Sequence, residues 1–399
     1  MFFKTAMYRA NPTVANILIF LTVVAMSAFC QAPTSLVDDG STANPIGTMT
    51  YLVGEVDVHR NGEFLEWEVV DIGLEIEDYD LVQTGRSGNV QVELVTPATR
   101  DATITIAENT AFYFDISKLD RSNKTTIEML SGSIAFKVTR LVSDDTFEVR
   151  TPSIVMGVRG TEFSVIAAPD GSYLVTCRTG EVECEDDAGS RQFALAGRAV
   201  EKTEDVFRSI AVPVTELDRY KTDWIAERER IFRTNAAFFI RAFARQYASF
   251  EARFVEALSR LLGQQDTFQI WIEAYQTGVE IPMGRLVTQR AAVTPAIVAV
   301  RSVLPVYEQL YYRLKTLERF HKEGIGRTTI ERGLTSTAFF EEFAKNSRTI
   351  EKGLAVIRYY LKLYGRMTGY DDSSILEEIF SDNPLDGSGP PKPTDPQSF

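Results

Sequence analysis

Few residues in this 399-residue chain could carry out bond-making chemistry. There are two histidines and three cysteines. His59 precedes Arg60 and an Asn61-Gly62 turn, which predicts a surface histidine. His321 precedes Lys322 near the end of an apolar-periodic segment, where a helix C-terminus favours a cation. Neither has a second His or a Cys at metal-ligand spacing. No Gly-x-Ser-x-Gly elbow occurs, so a Ser-His-Asp hydrolase is not indicated. Acids cluster at Glu63, Glu66, Glu68, Asp71, Glu75, Glu77, Asp78 and Asp80 without the Asp-x-Asp-x-Asp-Gly pattern of a calcium loop. No metal and no cofactor are expected, and the chain reads as a non-enzyme. A paired-carboxylate glycosidase is the class that spacing does not test, because its acids converge only in the fold. Cys177 and Cys184 flank Arg178-Thr179-Gly180-Glu181-Val182-Glu183. A two-residue Gly180-Glu181 turn would set them opposite each other, about 5.5 Å apart at Cα, within disulfide reach. The alternatives are a bridge or two separate thiols.

The elements that would position these residues fall into two regions. Ahead of them, residues 1–13 carry Lys4 and Arg9 and no acid, and Val14 to Phe29 is an uncharged apolar run. Ala28-Phe29-Cys30 supplies small residues at both ends of a cleavage site, the layout of a signal peptide over 1–30. The run is shorter than the ~20 residues a membrane helix wants. If it stays uncut, 14–29 becomes a membrane anchor; a lipoprotein at Cys30 is the third option. Residues 31–50, rich in Pro, Ser, Thr, Asp and Gly, read as a linker. The chain is expected to be exported, periplasmic or envelope-associated.

Residues 51–203 alternate with the period of strands. Val90, Val92 and Leu94 alternate with Gln91 and Glu93; Ile104 and Ile106 with Thr103 and Thr105; Ile134, Phe136 and Val138 with Ala135 and Lys137; Phe147 and Val149 with Glu148 and Arg150. Turn residues recur every 8–12 residues, which predicts an all-β sandwich, roll or barrel. From 206 to 380 the period changes to that of helices. One pattern runs from Val214 to Leu262, as a single helix or two joined near Asn235. A second starts at Thr294-Pro295 as N-cap and first helical residue, runs towards His321, and is kinked or split at Pro305. A third runs from about Ser336 to Tyr364. Long helices with short loops predict an antiparallel bundle, whose helices are also long enough to pair between chains. The aromatic stripe Phe238, Phe239, Phe243, Tyr247, Phe250 and Phe254 reads as its core, and Arg233, Arg241, Arg245, Arg253 and Arg260 either as a solvated face or as a docking surface for the acidic β module or an anionic envelope polymer. Residues 381–399 read as a disordered tail. The whole is an α+β multi-domain protein.

Net charge is −13, which argues against nucleic acid as a partner. The charge divides with the fold: residues 31–205 hold 31 acids and 14 bases, residues 206–399 hold 24 and 26. The acidic β region reads either as a soluble surface or as a face for a cationic partner or ion.

Within it, Thr151-Pro152 precedes Val158-Arg159-Gly160-Thr161-Glu162-Phe163. Pro152 fixes φ and ends a strand, and Gly157 and Gly160 let the chain turn on both sides of Arg159. Arg159 is expected either to tie down backbone carbonyls or Glu162, or to meet an anion or peptide. Phe163 is expected to point into the core. This segment resembles the signature of the FecR family. Gly54-Glu55-Val56, Asp80-Leu81-Val82-Gln83-Thr84-Gly85, Leu130-Ser131-Gly132, Thr179-Gly180-Glu181 and Ala196-Gly197 resemble further pieces of it in the same order, covering about residues 51–203. The resemblance implies an extracytoplasmic all-β module of an envelope signalling protein, with Thr151, Pro152, Val158, Arg159, Gly160, Thr161 and Phe163 as its motif; the same residues are the candidate contacts. Signalling members carry a cytoplasmic segment that controls a sigma factor and a small receptor-docking domain. Here about 13 residues precede the apolar run, and a helical region follows the β module. The chain is therefore expected to act as a standalone binding or scaffold module for an envelope protein or cell-wall component, with sensing of an outer-membrane receptor or envelope ligand as the alternative.

Overall fold

The computed structural model describes residues 45–94, 102–115, 124–138 and 146–368. The expected signal peptide, most of the expected linker and the expected tail lie outside the described residues. Among the described residues an N-terminal strand region is followed by five α-helices.

The strands are β1 (Gly47–Val53), β2 (Val56–Arg60), β3 (Glu63–Phe64), β4 (Glu75–Ile76), β5 (Leu81–Thr84), β6 (Asn89–Leu94), β7 (Ala102–Ile106), β8 (Ala111–Asp115), β9 (Lys124–Val138), β10 (Thr146–Thr151), β11 (Ile154–Ala167), β12 (Tyr173–Asp186), β13 (Arg191–Leu195), β14 (Arg198–Lys202) and β15 (Phe207–Ala211). Strand structure thus begins inside the expected linker, at Gly47, and runs past residue 203 to Ala211.

Three long strands serve two sets of neighbours. The first part of β9 pairs with β8 and β10, and its second part with β7 and β11. The first part of β11 pairs with β10 and its second part with β9. The end of β12 pairs with β13 and its start with β14. One layer therefore reads β3-β2-β5-β8-β9-β10-β11-β12-β13, and the other β4-β1-β6-β7-β9-β11-β12-β14-β15. Each shared strand crosses between layers at a glycine with positive φ: Gly132 (92°), Gly160 (56°) and Gly180 (82°). L-residues with a Cβ resist that conformation, and space forbids one as well. A Cβ on Gly132 would sit 2.4 Å from Thr110 Cα, and one on Gly180 2.5 Å from Thr161 Cγ2.

The alternating apolar residues of both layers meet in one core. Val90, Val92, Ile104 and Ile106 are fully buried, as expected from their period of two. Phe163 stacks on Phe136 with ring centres 4.7 Å apart.

The helices are α1 (Leu217–Thr234), α2 (Ala236–Leu262), α3 (Gln265–Thr277), α4 (Met283–Lys322) and α5 (Ser336–Thr368). Between α4 and α5 lies a small hairpin of β16 (Thr329–Glu331) and β17 (Leu334–Thr335). The break at Asn235 is where the sequence places it. The start of α4 is not: it begins eleven residues before Thr294, and both Pro295 and Pro305 lie inside it. Thr294 does not cap; its hydroxyl donates to Arg290 O (2.8 Å) one turn back and also meets Tyr364 Oη (2.8 Å). The helix α3 is absent from the expectations. Among the described residues α4 is the one helix long and apolar enough to cross a membrane, but Ile297, Val300, Leu304, Tyr307, Leu310 and Leu314 are buried among the other helices.

The aromatic stripe is core in part. Phe243, Tyr247 and Phe254 are buried, whereas Phe238 is exposed. Tyr247 and Tyr307 share a hydroxyl hydrogen bond (2.6 Å). The arginines of α2 do not form one solvated face. Arg241 donates to Thr328 Oγ1 (2.8 Å) and Arg245 to Ile330 O (2.6 Å), clamping the β16 hairpin.

Candidate functional site

The motif segment builds a corner rather than a cluster of reactive groups. Thr151 closes the turn from β10 to β11: its hydroxyl accepts from Ile154 N (3.0 Å) and donates to Ile154 O (3.2 Å). Pro152 is exposed at the tip. Val158, Thr161 and Phe163 are buried, and Gly160 makes the crossing. The backbone of Arg159 pairs with Glu181; its side chain lies outside the described residues. Glu162 is held by Arg178 Nε (3.2 Å).

Cys177 and Cys184 are free, buried thiols. The turn that would oppose them does not form, because β12 runs on through Gly180-Glu181 and pairs Cys177 with Phe163 and Cys184 with Met156. Burial pushes the Cys177 thiol up to about 11 and the Cys184 thiol further, so neither is a reactive thiolate.

The outward face of the second layer forms an open groove of about 320 Å³. Its floor follows from register. Gln91, Thr105, Ala135, Ser164 and Thr176 align across β6, β7, β9, β11 and β12. A second row runs Thr103, Lys137, Glu162. At about 4.8 Å per strand, the first row spans roughly 19 Å. Alternation with the core residues turns these residues away from the core: Gln91, Thr103, Thr105 and Ala135 are half-buried and Lys137 is exposed, whereas Ser164 and Thr176, at the end nearest α1, are buried. Leu217 and Lys221 of α1 form the wall. Arg178 reaches from the floor to Asp218 of α1 (2.9 Å), which also takes Lys221 (2.9 Å). Lys221 and Arg178 hold the Asp218 carboxyl below its usual range. The side chains of Gln91, Thr103, Thr105, Ser164 and Thr176 have no hydrogen-bond partner, and Lys137 has no ion-pair partner, among the described residues. The sequence held the signal for this groove in the polar half of each alternation, which a search for catalytic spacing passes over.

The outward face of the first layer is already occupied by α4 and α5. Gln83 donates to Tyr312 Oη (2.6 Å), and Lys362 reaches Asn61 Oδ1 and Glu77 Oε2, both at 3.0 Å. Here His59 overturns the surface expectation. It is 2% exposed, packs on Phe64, and neither ring nitrogen has a hydrogen-bond partner among the described residues. Burial first, and Arg358 second, lower its pKa to about 3. Beside it, Arg358 of α5 pairs with Glu308 of α4 and lies over the Tyr113 ring. Both charges are buried.

The acidic cluster divides here. Asp80 and Glu77 are taken by Arg60 (2.6 and 3.1 Å), and Glu63 by Lys352 (3.1 Å). Burial raises the Glu77 carboxyl, but Lys362 and Arg60 outweigh it and leave the group below its ordinary value. His321 sits at the C-terminal end of α4 as expected, hydrogen-bonded to Ser336 Oγ (3.0 Å), with burial lowering its pKa. No group of three or more His, Cys, Asp or Glu placed to hold a metal occurs among the described residues.

Comparison with known proteins agrees with the motif. Residues 80–183 match the family model described as FecR protein, a narrower span than the resemblance covers. Among solved structures, two crystal structures of a "putative anti-sigma factor" from Parabacteroides distasonis ATCC 8503 are similar at 20% identity and a TM-score of 0.30. Each match covers 35% of this chain, and 63% and 62% of the respective solved chains. No curated protein matches this chain.

Proposed function

Taking the FecR domain at residues 80–183 as premise, we propose that this chain is an exported, non-enzymatic protein that binds a component of the cell envelope through its β region. The observation that carries this reading is the division of the two outward faces. The first layer is covered by α4 and α5, while the second leaves the unpartnered Gln91, Thr103 and Thr105 half-buried beside exposed Lys137. Such groups recognise a ligand by hydrogen bonds rather than by chemistry upon it. Both histidines lie outside the groove lining, His59 among apolar and cationic neighbours and His321 on Ser336. The helices then serve as the mount that fixes the β region.

A second reading, relay of an envelope signal, is favoured by the FecR match, since that family points to a regulator-related role. The two readings differ at the N-terminus. Mass spectrometry of the protein recovered from cells separates them: a mature chain starting at Gln31 supports the secreted binder, and an intact N-terminus supports a membrane-held relay. The binding claim is tested by pull-down from envelope fractions with the full chain and with a Thr105→Arg/Lys137→Glu variant. Loss of the captured component in the variant supports the groove; equal capture by both contradicts it.

A further inference from the structure

The β region and the helices keep separate cores. The buried residues of the β core come from residues 46–200 and those of the helical core from residues 232–364. The seam between the first layer and α4 and α5 is largely polar: Gln83 on Tyr312, Lys362 on Asn61 and Glu77, and Lys352 on Glu63. Its apolar part is a small cluster of Leu81, Ala111 and Leu130, with Tyr113 and Tyr312 packed against it. Such a seam can open while both cores stay closed. The helix α1 then keeps the two parts joined, since Leu217 and Trp224 pack on the second layer and Phe232 lies in the helical core.

His59 of β2 sits in this seam. Tyr79 and Leu81 flank it from the β region and Ala355, Arg358 and Lys362 from α5, leaving no space for a water molecule. The Phe64 ring lies 3.9 Å away, centre to centre. The neutral imidazole therefore keeps its N–H and its lone pair without partners among the described residues, which is a standing cost. A protonated ring fares worse. It adds a second unpaired N–H and a charge beside Arg358 and Lys362, and the nearby carboxylates are already engaged. Arg358 takes Glu308, Lys362 and Arg60 take Glu77, and Arg60 takes Asp80. Glu63 is held by Lys352 and Glu351 by Lys315, while Asp57, beside Glu351, is exposed.

We propose that His59 is an acid-operated latch: its protonation releases α4 and α5 from the first layer and frees that layer's outward face, while the β core and the helical core stay folded. The direction follows from linkage. Burial, and Arg358 after it, lower the pKa of the closed ring to about 3, against the ordinary 6.5 once the seam is open. Opening takes up a proton between those limits, so the opening equilibrium should rise about 30-fold from pH 7.5 to pH 5. Burial raises the carboxyls of Asp57, Asp80 and Glu308, so their protonation favours the closed seam; Glu77, held below its ordinary value, favours the open one. Replacing His59 leaves all four in place.

The test uses the full chain carrying Cys30→Ser and Ala355→Cys. Ala355 is 4% exposed beside His59, so a thiol there reacts when the seam opens. Cys177 and Cys184 lie in the β core and react when the whole chain unfolds. Labelling by a dithiodipyridine is followed at each site by mass spectrometry, and each rate is divided by that of the denatured chain at the same pH. The Ala355→Cys thiol should label about 30-fold faster at pH 5 than at pH 7.5, with Cys177 and Cys184 slower throughout. Adding His59→Phe should cut that rise to under about threefold, and His59→Leu serves if circular dichroism shows that the Phe variant does not fold. The proposal is overturned by a rise under about threefold in the chain that retains His59. It is equally overturned by an equal rise at Cys177 and Cys184, which makes the event global unfolding, or by a rise that persists without His59.

Discussion

Replacing Arg358 by Met tests how the helices are locked to the β region. Arg358 and Glu308 are both buried, and they join α5 to α4 beneath β8, where Arg358 lies 5.3 Å from the centre of the Tyr113 ring. Arg358 Nε and Nη1 and Glu308 Oε2 have no hydrogen-bond partner among the described residues. The pair is therefore incompletely satisfied, and its desolvation is a standing cost. Arg358→Met strands a buried carboxylate and is expected to cost about 3–5 kcal/mol. Glu308→Leu/Arg358→Met removes both charges and is expected to be neutral or more stable than wild type, by up to about 4 kcal/mol. Burial already raises the Glu308 carboxyl, with Arg358 opposing that rise. Without Arg358 the folded carboxyl keeps its proton to higher pH than the unfolded one, so the single variant loses stability as pH rises. Its penalty should be smaller at pH 5 than at pH 8, changing by at most ~1.4 kcal/mol per unit. Urea unfolding followed by tryptophan fluorescence at the two pH values reads these quantities. A single variant within ~1 kcal/mol of wild type, or a double variant worse than the single, would refute the reasoning.

Gly132→Ala places a Cβ 2.4 Å from Thr110 Cα at a φ of 92°, so it should destabilise by about 2 kcal/mol or more, while Gly189→Ala, also at positive φ but with open space around it, should cost less; urea midpoints compare the two. His59 should make stability fall below neutral pH. Its folded pKa of about 3 lies under the unfolded value of 6.5, so between those limits the unfolded chain holds a proton the folded one rejects, and stability drops by up to ~1.4 kcal/mol per pH unit. His59→Phe should flatten that slope in urea titrations over pH 4–7. Cys177 and Cys184 should react with a thiol reagent only on unfolding, and reducing agent should leave the thermal midpoint unchanged; a midpoint that falls on reduction would reveal a disulfide.

Much of the β region was legible because each strand repeats a local rule. Val90, Val92 and Leu94 alternate with polar residues and are buried, and Asn61-Gly62 turns β2 into β3 with φ of 51° and 89°. The corners were not legible. Gly132 stands just before the alternating run from Ile134, and Gly180-Glu181 looks like a hairpin turn, yet β9 and β12 continue through them into the other layer. That continuation is why Cys177 and Cys184 are not opposed. His59 follows Val58 in β2, and both are buried, because α5, some 300 residues later, covers the outward face; no local pattern carries that contact. Thr294-Pro295 reads locally as a helix start, but the packing of α4 against its neighbours overrides it. The motif residues were found by type and order, while the groove arises from register between five strands that no linear spacing displays.

Site-specific photo-crosslinking in cells addresses the central claim most directly. A photoreactive amino acid placed at Thr105, on the floor of the groove, should yield an adduct with an envelope component, and the same amino acid at Asp187, exposed at the end of β12 away from the groove lining, should not. An adduct at Asp187 and none at Thr105, or adducts at Thr105 only with cytoplasmic proteins, would contradict an exported protein that binds the envelope through this groove.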